Sequence, residues 1–86
     1  MSPRRAAPEV PGFDRRAFNR EVGLRINLVR TIRRQTQAEI AKAAYLSRPA
    51  LANIEAGRQS IAADQLWRLA IVLKVTVARL LPERVP

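Results

Sequence analysis

Cysteine and histidine are both absent from the 86-residue chain. Their absence excludes a disulfide scaffold, a Cys/His zinc site, a thiol nucleophile and an imidazole general base. No segment carries paired carboxylates either, so the sequence does not read as an enzyme, and no cofactor, metal or small-molecule substrate is expected. Acidic residues are scarce, with seven Asp and Glu against sixteen Lys and Arg and a formal net charge of +9. Such a charge points to polyanionic partners, nucleic acid above all, and says nothing about fold. No apolar run approaches the roughly 18–20 residues of a membrane span, and the first residues lack the apolar stretch of a signal peptide. A soluble cytoplasmic, nucleoid-associated module without a membrane partner is therefore expected. A hydrophobic content of 48% is too high for a disordered polycation. The length allows one small domain with a thin stability margin, which oligomerisation would supplement.

Three of the six prolines (Pro3, Pro8 and Pro11) lie in residues 1–18, which show no apolar periodicity. This stretch is expected to be a flexible basic arm carrying Arg4, Arg5, Arg15 and Arg16. From about residue 19 the pattern becomes one of short helices packed into an all-α domain over 19–82, with a short tail at 83–86. The first helix, about 19–34, places Val22, Ile26, Val29 and Arg33 on one stripe. Thr36 and Glu39 form a capping box that opens a second helix of about 37–44. After a short turn at Tyr45 and Leu46, Ser47 caps a third helix of about 48–56, in which Pro49 is tolerated in the first turn and Gly57 is the stop. A fourth helix, about 62–73, carries Leu66, Leu69, Ala70 and Leu73 at core spacing. Thr76 and Pro82 bound a fifth at about 77–81. Strand alternation and internal repeats do not stand out.

Helices two and three are joined by so few residues that they must cross steeply, and such a pair can present its second helix to the major groove of DNA. The run Thr36-Gln37, Glu39-Ile40-Ala41, Leu46-Ser47-Arg48, Leu51, Ile54-Glu55 and Gly57 resembles the lambda-repressor-like, XRE-type helix-turn-helix family. The register extends to Arg30 upstream and to Leu66, Leu69-Ala70 and Leu73 downstream, about residues 20–81. The chain departs from that pattern at Tyr45, where glycine is usual. A bulky residue in the left-handed region costs on the order of 1 kcal/mol, which favours a re-formed turn. Gln35 stands where an apolar residue is usual, and Pro49 and Ala56 replace commonly polar positions.

The resemblance implies base contacts from Arg48, Pro49, Ala52 and Asn53. Arg48 suits guanine and Asn53 suits adenine, while Pro49 and Ala52 offer only apolar contact to a thymine methyl. It implies phosphate contacts from Gln37 at the start of the second helix, from Ser47, and from Arg58, Gln59 and Ser60 in the loop after Gly57. Arg30 and Glu55 are implied as an ion pair linking the first and third helices, in a structural role. Residues 1–34 hold nine arginines against three acids, so charge concentrates upstream of the reading helix.

The fourth helix has more apolar residues than one face can bury. Trp67 and Ile71 form a second pair, and with Val75, Val77 and Leu81 they make either a homodimer interface or a lid closing the core beneath the arm or the fifth helix. The function expected is a sequence-specific transcriptional regulator binding double-stranded DNA as a homodimer on a near-palindromic operator, repression being the default. The alternative is an antitoxin or antagonist that neutralises a protein partner and regulates its own operator.

Overall fold

The computed structural model describes residues 10–83. The expected arm up to residue 9, with Arg4 and Arg5, and the last three residues of the tail lie outside the described part. The order is α1 (Arg15–Ile32), α2 (Gln37–Ala43), α3 (Arg48–Glu55), α4 (Ala63–Leu73) and a closing 3-10 turn (Val77–Leu80). Among the described residues there is no strand. The expected fifth helix is thus a single 3-10 turn. Thr76 makes no side-chain cap and Pro82 follows closely, which leaves too few residues to repay α-helical nucleation.

Helix α1 begins at Arg15, four residues before the point where periodicity places it. Val10 accepts a hydrogen bond from Phe13 N (3.0 Å), turning the chain. Asp14 then caps the helix, its carboxylate accepting from the amides of Arg16 and Ala17 at 3.0 and 3.2 Å. Phe13 and Phe18 flank the cap with ring centroids 5.7 Å apart, a hydrophobic staple. Residues 15–18 therefore belong to the helix and not to an arm. At the other end Arg33 is exposed and not on the core stripe, because it is the C-cap residue.

The expected caps of α2 and α3 are present. Thr36 Oγ1 accepts from Glu39 N at 3.1 Å while Glu39 accepts from Thr36 N at 2.9 Å, and Ser47 Oγ accepts from Ala50 N at 3.1 Å. All four α-helices end in the same way, with a residue in the left-handed region and paired hydrogen bonds back to the last turn, the Schellman arrangement. Gly57 (φ 75°) supplies that residue after α3, but Arg34, Tyr45 and Lys74 supply it elsewhere at φ 57°, 58° and 59°. At the α2–α3 turn, Leu46 N donates to Ala41 O (2.8 Å) and Tyr45 N to Lys42 O (3.3 Å). The turn is not re-formed around Tyr45. It keeps the left-handed geometry and leaves the ring in solvent, 86% exposed.

The core draws on every element: Val22, Ile26 and Val29 of α1, Ile40 and Ala41 of α2, Leu51 and Ile54 of α3, Leu66, Leu69, Ala70 and Leu73 of α4, and Leu80 of the closing turn. Helix α3 packs on both α1 and α2, so its orientation is fixed from two sides. Arg68 Nε donates to Ala44 O at 2.8 Å and its guanidinium pairs with Asp64, tying α4 to the end of α2.

Candidate nucleic-acid interface

Helix α3 buries Leu51 and Ile54 and turns its first residues outward. Ser47, Arg48 and Pro49 are exposed, while Ala52 and Asn53 are half-buried at its flank. Two uncharged devices hold this end open: the Ser47 cap, and Pro49 in the first turn, where its missing N–H has no intrahelical partner to lose. Asn53 is not solvated alone, because Arg58 Nη1 donates to its Oδ1 at 3.1 Å. That contact leaves the Asn53 amide hydrogens and a second carbonyl lone pair for an adenine edge.

Behind α3 lies a network centred on Glu55, whose side chain is only 4% exposed. Arg30 grips both carboxylate oxygens, Nε to Oε2 at 2.7 Å and Nη2 to Oε1 at 2.9 Å, and its Nη1 donates to Gln35 O at 2.8 Å. That carbonyl is backbone and any residue at 35 would supply it; the Gln35 side chain accepts from Arg33 Nε at 3.4 Å. Asn27 and Gln37 also donate to Glu55 Oε1, at 2.9 and 3.1 Å. Burial alone would raise the Glu55 carboxyl. The hydrogen bonds from Arg30, Asn27 and Gln37, with the Arg30 charge, outweigh it and hold the group below the usual carboxylate range. The Arg30 guanidinium is raised in turn, first by its hydrogen bond to Glu55. Glu39 is lowered by the Thr36 backbone and hydroxyl bonds of the capping box. Gln37 thus has one amide hydrogen committed to Glu55, which orients the side chain and leaves the other for an incoming oxygen.

The loop after α3 brings Arg58, Gln59 and Ser60 to the same side as the N-terminal end of α1. Arg58 and Ser60 are exposed and Gln59 is half-buried. Ser60 Oγ accepts from Asn19 Nδ2 at 3.0 Å, so its own hydroxyl hydrogen remains available to donate.

Trp67 and Ile71 are each 64% exposed, so Trp67 does not serve as a lid on the core within the described residues. With Ala70, Val75, Thr76 and Val77 they line an apolar groove of about 260 Å³. Leu81 does not line it, and packs half-buried on the core instead. Gly23 was not among the residues singled out from the sequence. A Cβ there would collide with the carbonyl of Ile54 and stand 2.6 Å from that of Glu55, so α1 and α3 touch backbone to backbone at this point. A glycine inside a helical stretch is the only signal in sequence, and periodicity does not use it.

Among the described residues no helix is long and apolar enough to cross a membrane. A comparison with curated protein sequences gives no match. Solved structures are similar. The restriction-modification controller protein C.AhdI from Aeromonas hydrophila is 22% identical with a TM-score of 0.71, over 72% of this chain and 94% of that one. The clp gene regulator ClgR from Corynebacterium glutamicum is 24% identical with a TM-score of 0.71, over 81% and 71%. A hypothetical transcription factor, NHTF, from Neisseria is 25% identical with a TM-score of 0.73, over 88% and 85%. The first two likenesses are ones of fold. The model of the helix-turn-helix family HTH_3 matches residues 31–80, more than half of the chain and the whole of the α2–α3 pair. The chain belongs to this XRE-type helix-turn-helix family of DNA-binding regulators.

Proposed function

We propose that the protein is a sequence-specific transcriptional regulator that binds double-stranded DNA through the N-terminal end of α3. The exposed start of α3, held rigid by packing on two helices and by the Arg30–Glu55 network, carries this reading. Arg48 is the guanine reader, Asn53 the adenine reader, and Pro49 and Ala52 the apolar contacts. Gln37, Ser47, Arg58, Gln59 and Ser60 each keep a donor for the phosphate backbone, which sets register without specifying sequence.

One head of this size covers only a few base pairs. The groove of Trp67 and Ile71, edged by Val75 and Val77, is the surface through which two copies pair, each burying the other's exposed tryptophan. Two heads about 34–36 Å apart then meet half-sites one helical turn apart, and a near-palindromic operator follows. Occupancy of such an operator represses by occlusion, in the cytoplasm.

Selection of bound duplexes from a random pool tests this. The expected outcome is a consensus with two inverted half-sites. Failure to enrich any sequence over bulk competitor DNA contradicts the proposal.

A further inference from the structure

The N-terminal turns of α1 and the loop after α3 enclose an open cleft of about 570 Å³. Arg15, Arg16, Arg20 and Arg58 all line it, and all four are exposed. Among the described residues none of these arginines makes a salt bridge. Asp14, the nearest acidic residue in sequence, has its Oδ1 engaged by two helix amides, and Glu21 is paired with Arg25. Four arginines thus line one concavity with no acidic residue in its lining. Like charges gathered this way repel one another, and a bound anion relieves that repulsion.

The cleft is also built and not merely bordered. Asn19 Nδ2 donates to Ser60 Oγ across it at 3.0 Å, joining α1 to the loop. Its floor is the backbone at Gly57, where a Cβ would stand 2.9 Å from both Cα and Cγ of Arg20. A side chain at position 57 would displace Arg20, a residue of the cleft wall. On the reading-helix side, Arg58 is hydrogen-bonded to Asn53, so the cleft adjoins the proposed base-contacting residues.

We propose that this cleft is a second DNA contact, a clamp in which Arg15, Arg16 and Arg20 join Arg58 on a backbone phosphodiester flanking the bases that α3 reads. Guanidinium forks suit this ligand because they can donate two parallel hydrogen bonds to phosphate oxygens. The clamp carries no sequence information and adds affinity, and it rests on the reading of α3 as the DNA-binding helix.

The test compares the wild type with Arg15→Ala/Arg16→Ala on the duplex selected from the random pool, on a scrambled duplex, and on the selected duplex trimmed at its flanks. Alanine is a strong helix former, and an unchanged melting curve verifies the fold. The double variant is expected to bind selected and scrambled duplexes more weakly by the same factor. Its slope of log Kd against log salt falls by about 1, so its deficit shrinks about fourfold between roughly 50 and 200 mM salt. Trimming the flanks should weaken the wild type more than the variant, which keeps Arg20 and Arg58. Wild-type binding with an unchanged slope in the variant, or equal sensitivity of both proteins to trimming, overturns the clamp alone. Absence of wild-type binding to any duplex overturns both the clamp and the α3 reading.

Discussion

At residue scale, two positions couple α3 to the rest of the molecule. Gly23 lets α1 lie against the carbonyls of Ile54 and Glu55. Gly23→Ala forces the helices apart in a close-packed interior, and a loss of about 1–3 kcal/mol is expected, larger than the gain from better helix propensity. Thermal unfolding should show it as a fall of about 4–8 °C per kcal/mol in a domain of this size. The second position is Glu55. Its pairing with Arg30 is almost wholly out of solvent, so Arg30→Ala leaves a buried carboxylate without its charge partner, at a cost of about 3–5 kcal/mol in denaturant unfolding. The sign of the pH dependence follows from the lowered carboxyl. A native pKa below the ordinary 4.5 means that the network contributes stability above that value. The contribution is lost as pH falls from about 4.5 through the lowered native pKa. Glu55→Gln should flatten the stability profile across that acid window. A wild type and variant that lose stability in parallel there would contradict the assignment.

At the scale of elements, the helix ends show what local chemistry encodes. Thr36 with Glu39, and Ser47, announce the starts of α2 and α3 because a cap is satisfied within three residues of itself. The start of α1 was harder to read. Asp14 has no Glu or Gln partner three residues on, and the Phe13–Phe18 staple was hidden in a segment whose prolines suggested a loop. The Gly23 contact and the Asn19–Ser60 bond, by contrast, pair residues 31 to 41 positions apart, and only the packing of α1 on α3 brings them together. The core stripes were legible because burial follows helical period. The cleft was not, because Arg15 and Arg16 fall in the stretch that reads as an arm, Arg20 in the first helix and Arg58 in a loop. The left-handed caps lead to a prediction at this scale. Arg34, Tyr45 and Lys74 are exposed and hold a conformation that glycine adopts freely. Tyr45→Gly and Lys74→Gly should each raise stability by up to about 1 kcal/mol, and the two gains should add, since the turns are separate. Paired melting curves of the single and double variants decide it, and a loss of stability in either would contradict the account.

For the molecule as a whole, the arginine-lined cleft and the groove at Trp67 lie on different elements, although Leu24, Leu28 and Ile32 of α1 are exposed as well. Arg15, Arg16 and Arg20 crowd the N-terminal part of α1 and face Arg58 of the loop after α3, whereas the exposed tryptophan and isoleucine stand on α4. In the proposed reading the cleft meets a polyanion and the α4 groove meets a second copy. Sedimentation of the wild type should give a dimer at micromolar concentration, and Trp67→Ala should give a folded monomer, because removing a central aromatic anchor typically costs an interface about 2 kcal/mol or more. A wild type that is itself monomeric under those conditions removes the dimer from the account. The central claim, that the start of α3 reads bases, is tested most directly by repeating the random-pool selection with Arg48→Ala and with Asn53→Ala. Each variant is expected to lose preference at one or two positions of each half-site and to keep the rest of the consensus. A uniform drop in affinity with the full consensus intact would contradict it.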